Sequence, residues 1–150
     1  MKQRLILFPI IGILLFSCNN PPSDSKTTDT TIVSTTTQCY RYINNKDTVI
    51  LKILETNGAI GGTLMYNFFE KDKNTGTFKG EMKGNLLIAQ YTFMSEGMES
   101  VRAVAFKKSG ENFIEGYGES EEKNGKDVFK NTDSLNFSNS ILLSPHACEK

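Results

Sequence analysis

From Gln38 onward, short runs rich in Tyr, Phe, Ile, Val and Thr are separated by clusters of Asn, Gly, Asp and Ser at a spacing of roughly ten residues, the rhythm of antiparallel β-structure. Within the runs, apolar residues recur at every second position. Leu64, Tyr66 and Phe68 share one face of a run, and Leu87, Ala89, Tyr91 and Phe93 share one face of another, with no stripe at helical spacing. The alternation predicts strands at about Cys39–Ile43, Thr48–Glu55, Ile60–Glu70, Thr77–Lys83, Leu86–Met94, Ser100–Lys107 and Asn112–Glu119, with shorter ones near Val128, Leu135 and Leu142. Turns are expected at Asn44–Asp47, Asn57–Gly58, Asp72–Gly76, Lys83–Asn85, Glu96–Gly97, Ser109–Gly110, Lys123–Gly125 and Ser138–Asn139. The Asn-Gly pairs are the sharpest of these signals, because a type I′ hairpin needs positive φ at both central residues.

The predicted class is therefore all-β, an antiparallel meander of about eight or more strands. A sequential meander of that length must bury one face and hide its edges, which favours a closed or strongly curved barrel; a two-sheet β-sandwich is the alternative. The strands occupy residues 38–150, enough for one domain with one core.

The residues before them follow a different pattern. Lys2 and Arg4 precede an apolar run from Leu5 to Phe16, interrupted by Pro9 and Gly12 and followed by Ser17-Cys18 and polar Asn19-Asn20. The run is shorter than the roughly 20 apolar residues that cross a bilayer, so residues 1–17 are expected to be a cleaved signal peptide. From Asn19 to Thr37 about half the residues are Ser or Thr, mixed with Pro, Asn and Asp. Such a segment buries too little surface to offset its ordering entropy. Residues 18–37 are expected to be a tether spanning on the order of 25 Å.

The junction Leu15-Phe16-Ser17-Cys18 resembles a lipobox, with Phe16 where a smaller residue is more usual, a variant found among lipoproteins of Bacteroidetes. That resemblance implies a diacylglyceryl group on Cys18, palmitate-like chains in the membrane and a place in the cell envelope, at the outer membrane. Anchoring by several acyl chains would be stable, at about 0.8 kcal/mol per buried methylene. With Cys18 given to lipid, Cys39 and Cys148 remain and are expected to form a disulfide in an oxidising compartment, closing a loop worth about 4 to 5 kcal/mol in the chain-entropy account. The alternative makes Cys39, Cys148 and His146 ligands of a metal, without an obvious fourth ligand or a Cys-x-x-Cys spacing. Gly62–Asn67, Glu70–Thr77 and Ala89–Gly97 resemble a recurrent type of uncharacterised Bacteroidetes lipoprotein. The glycine-punctuated pattern is also similar to lipocalin and avidin barrels of the calycin kind, although no Gly-x-Trp motif is present and the chain has no tryptophan. Asp29-Thr30-Thr31, Asp47-Thr48-Val49 and Asp133-Ser134-Leu135 resemble the short O-glycosylation signal of the same group.

Charge and motifs narrow the chemistry. The chain has 17 basic and 17 acidic residues; loss of Lys2 and Arg4 with the signal leaves a slight acidic excess and no basic patch, so nucleic acid is not an expected partner. No phosphate-binding glycine motif occurs, and no cofactor is expected. His146 is the one histidine and stands near the chain end, which leaves no nucleophile-and-base pair. Glu115 and Glu119, in one extended run, would lie about 13 Å apart, beyond the roughly 5 to 9.5 Å of glycosidase carboxylate pairs. The acidic stretch Glu119–Glu122 lacks calcium-loop spacing and fits a solvated hairpin.

The distinctive polar positions lie inside strands. Arg102 shares a face with Val104 and Phe106, while Glu115, Tyr117 and Glu119 share one with Phe113. In a small barrel, Arg102, a nearby carboxylate and Tyr66 or Tyr91 would line a mouth and select the polar end of a ligand. In the opposite arrangement Val101, Ala103 and Ala105 face inward and Arg102 is a surface residue with cross-strand partners. The expected function is a lipid-anchored, non-enzymatic envelope protein that binds a small or peptide-like ligand or a partner protein, with ligand-binding candidates Tyr66, Tyr91, Arg102, Glu115, Tyr117 and Glu119. The alternatives are an accessory subunit docking through exposed residues such as Ile88 and Met94, and a hydrolase working through carboxylates.

Overall fold

Alternation of buried and more exposed residues runs through much of the first six strands of the computed structural model, which describes residues 34–138 and 141–149. The expected signal peptide, Cys18, most of the tether and the Asp29-Thr30-Thr31 site lie outside the described residues. Strands β1 (Thr35–Asn44), β2 (Asp47–Thr56), β3 (Ala59–Asn67), β4 (Asn74–Lys83), β5 (Leu86–Ser95) and β6 (Met98–Ser109) form a sequential antiparallel meander. The chain continues through β7 (Asn112–Gly116), the hairpin β8 (Ser120–Lys123) and β9 (Lys126–Phe129), and a 3-10 turn (Thr132–Ser134), to β10 (Leu142–Pro145). Because β10 pairs with both β1 and β7, and β5 pairs with β6, the sheet closes into an eight-stranded antiparallel barrel. Thr35 to Thr37, read as the end of the tether, already belong to β1 and pair with Thr56 to Leu54.

Turn chemistry sets the register. Asn57-Gly58 and Asn124-Gly125 both have positive φ at each central residue (50° and 81°, 54° and 74°), the backbone of the tight hairpins their sequence signals. The strand β3 ends at Asn67 instead of running to Glu70, because the Phe69 amide donates to Asp47 at 2.8 Å and Glu70 takes φ 57°.

The interior contains Tyr40 of β1, Val49, Leu51 and Ile53 of β2, Leu64 and Tyr66 of β3, Phe78 of β4, Leu87, Ala89 and Tyr91 of β5, Val104 and Phe106 of β6, Phe113 of β7 and Leu143 of β10. Every barrel strand supplies part of this cluster, so no strand can leave without exposing apolar surface. The Cys39–Cys148 disulfide, with a Cα separation of 5.2 Å, ties the C-terminal segment to the outer face of β1, where the His146 amide also donates to the Cys39 carbonyl at 2.9 Å. Both sulfurs are thus engaged, which removes the metal alternative for Cys39, Cys148 and His146.

Candidate functional site

The barrel wall is interrupted between β6 and β7. Strand β6 has 12 residues and β7 only 5, and β7 pairs with Ala105–Ser109 alone. Beside the first half of β6 the wall is continued by β9, through one parallel pairing of Arg102 with Asp127. The run expected to extend to Glu119 stops at Gly116 for a packing reason: a Cβ there would lie 2.4 Å from the Phe137 ring, and one on Gly118 would lie 2.8 Å from Leu135. The two glycines let residues 131–138 press onto the chain as it leaves the barrel, and Tyr117 and Asn136 exchange both backbone hydrogen bonds (3.0 and 2.8 Å). Leu135, expected in a strand, instead follows the 3-10 turn capped by the Asn131 side chain.

Behind the interruption lies a cavity of about 240 Å³ lined by Tyr66, Phe68, Arg102, Glu115, Tyr117 and Phe129, with Ser120 and Asp127 at its β8–β9 side. Glu115 faces inward beside Phe113 and is 4% exposed, the one charged residue type buried to that degree among the described residues. Its Oε1 accepts from the Tyr66 hydroxyl at 2.5 Å and its Oε2 from the Tyr117 hydroxyl at 2.9 Å. Burial raises the Glu115 carboxyl above its ordinary value of 4.5; the two tyrosine hydroxyls and the Arg102 charge act in the opposite direction without cancelling it. Burial, and then the Glu115 charge, push Tyr66 and Tyr117 well above the ordinary tyrosine value, so both hydroxyls remain donors.

Arg102 occupies an aromatic cage. Its guanidinium carbon lies 5.0 Å from the Tyr66 ring centroid, 5.3 Å from Phe93 and 5.6 Å from Tyr91, and Tyr91 stacks on Phe93 at 4.8 Å. Such contacts are worth about 0.5 to 2 kcal/mol each as desolvation increases. They leave its N–H donors without a protein partner: among the described residues Arg102 forms no ion pair or hydrogen bond, and its Nε is buried without a partner. The Tyr91 hydroxyl is likewise buried and unpartnered, and burial lifts it to about 12 against the opposing effect of Arg102. Buried polar groups are nearly always paired, so two orphans on neighbouring side chains are unusual.

Of the arrangements considered from sequence, the inward one holds: Arg102 points with Val104 and Phe106, and its strand neighbours Val101 and Ala103 face the other side. Tyr66, Arg102, Glu115 and Tyr117 meet around one cavity and Tyr91 stands behind Arg102. Glu119 does not join them. Its side chain is 82% exposed and pairs with Lys130 at 3.2 Å, because the chain has turned out of the barrel by then. Glu121 pairs with Lys123 in the same hairpin, which holds its exposed carboxyl below the ordinary range. Phe68 and Phe93 were not singled out for the site, although each follows a candidate tyrosine by two positions on the same face. Asp127 and Phe129 reach the cavity through the β8–β9 placement, for which no local signal exists.

Among the described residues, no group of three or more His, Cys, Asp and Glu side chains is placed to hold a metal ion. The arrangement offers hydrogen-bond donors and one cation within aromatic walls, chemistry suited to holding a polar or charged end of a molecule. Comparison of the chain with protein-family models, with curated proteins and with solved structures finds no match.

Proposed function

We propose that this protein is a lipid-anchored, non-enzymatic binding barrel of the cell envelope whose ligand enters the interruption between β6 and β7. The observation that carries the reading is an Arg102 without a polar partner lining the same cavity as a carboxylate held by two tyrosines. A polar cluster serving stability alone would pair its donors, since each orphan costs about 1 to 3 kcal/mol; orphans at a cavity fit a site completed by another molecule. The lipid anchor rests on the lipobox resemblance at Leu15–Cys18. It agrees with the strand direction: β1 begins at the barrel end opposite the loops that surround the cavity, so an N-terminal tether would present the open end away from the membrane.

The test is mass analysis of the full chain extracted from its native membrane in a non-denaturing detergent. The expected spectrum carries a lipid increment on the fragment beginning at Cys18 and a noncovalent small molecule released on denaturation. An unmodified Cys18 would overturn the anchor, and a barrel without any bound molecule at native abundance would overturn the ligand reading.

A second reading, docking on an envelope complex, has its own observation. Ile43, Phe69, Met94 and Met98 are 50 to 70% exposed and lie in or next to the β1–β2, β3–β4 and β5–β6 connections at one end of the barrel, where Lys46 covers only the Phe69 ring, at 3.8 Å. Ile88, also named for that role, is half-buried on the outer face. A protein partner retained on purification, lost on Met98→Glu, would favour docking over a small ligand.

A further inference from the structure

We propose that the molecule held in this cavity is a compact carboxylate, its anionic end on the unpaired guanidinium of Arg102 and its apolar body against Phe68 and Phe129; this rests on the ligand-binding reading above. The charge of the cavity alone does not decide the sign of the ligand, because Arg102, Glu115 and Asp127 all border it. Their hydrogen bonds do. Each Glu115 oxygen already accepts a tyrosine hydroxyl, and Glu115 is almost without exposure, so it offers a ligand ammonium little accessible surface. Asp127 is exposed to solvent, which screens it.

Arg102 is the reverse case. Three rings surround its guanidinium carbon at 5.0 to 5.6 Å, which restricts the side chain, and among the described residues it has no hydrogen-bond or ion-pair partner. A planar guanidinium without a carboxylate of its own is matched by a ligand carboxylate, which can take two parallel N–H bonds from it. Aromatic rings at Phe68 and Phe129 and the small volume of about 240 Å³ select a short, ring-sized body over a long chain.

The experiment uses the full chain in detergent and three probes of equal shape and different charge: benzoate, benzamide and benzamidine, with binding followed on the tyrosine ring resonances. Benzoate is expected to bind at least about ten-fold more tightly than benzamide, the difference of one charge-assisted pair, and benzamidine not at all. Arg102→Met keeps an unbranched apolar stem in the cage and is expected to bring benzoate down to the level of benzamide, while Arg102→Lys restores part of the difference. The comparison of the three probes on the unmodified protein does not depend on either variant folding. Equal binding of all three, preference for benzamidine, or no binding of benzoate would overturn the carboxylate assignment. If in that event the membrane-extracted protein still carries a small molecule, the ligand reading survives; if it does not, both fall.

Discussion

The two ends of the barrel interior are built from the same strands and differ in what the inward positions contain. Toward the β2–β3 and β4–β5 turns the interior is Leu51, Ile53, Leu64, Phe78, Leu87 and Phe106, with Tyr40 and Phe113 edge to face at 4.9 Å. Toward the β3–β4 and β5–β6 connections it is Tyr66, Tyr91, Arg102 and Glu115. Moving two to five residues along a strand therefore changes a dry core into a polar cage. The first arrangement gains stability from burial; the second gives some of it up, with a carboxyl raised by desolvation and two orphaned polar atoms. A region that costs stability is where function is expected.

That contrast can be broken in order of size. Phe106→Ala, in the dry end, is expected to destabilise by about 3 to 5 kcal/mol through loss of burial and the cavity left behind, measured by denaturant unfolding. Glu115→Ala, in the polar end, is expected to cost about 1 to 3 kcal/mol, because the buried Tyr66 hydroxyl loses its acceptor; Glu115→Gln, which keeps an acceptor of the same shape, should cost less than Glu115→Ala. If the two Glu115 variants are equally unstable, hydrogen bonding is not what holds that end.

The pH dependence sharpens the same point. A carboxyl whose folded value lies above 4.5 binds its proton more tightly in the native state than in the unfolded chain. Its contribution to stability is fully present below 4.5 and is lost as pH rises through the raised folded value. Glu115→Gln should flatten that part of the stability profile, read as thermal midpoint against pH. The smallest effect is expected at Tyr91→Phe, which removes a buried hydroxyl without a partner and should raise stability by about 1 kcal/mol in the unliganded protein.

Much of this was legible from alternation alone. The inward faces of β3 and β5 follow from Leu64-x-Tyr66 and Leu87-x-Ala89-x-Tyr91, and the hairpins from their Asn-Gly pairs, because both signals are local. Arg102 was legible only as one of two orientations. Apolar residues occupy both faces of β6, and the choice is made by register, which sets Arg102 opposite the inward Tyr91. The early end of β7 was not legible. It depends on Phe137 and Leu135 pressing on Gly116 and Gly118 from later in the chain, and that same departure carries Glu119 away from Glu115. For the same reason the β8–β9 hairpin was readable as a charged turn but not as part of a cavity wall.

The five tyrosines divide between the two ends, which makes them internal reporters of the central claim. The most direct measurement is a ring-carbon NMR spectrum of selectively tyrosine-labelled full chain before and after addition of the small-molecule extract of its native membrane. The account predicts that Tyr66, Tyr91 and Tyr117 shift while Tyr40, packed on Phe113 at the dry end, stays in place. An unchanged spectrum, or a shift at Tyr40 with the other three unmoved, would contradict it.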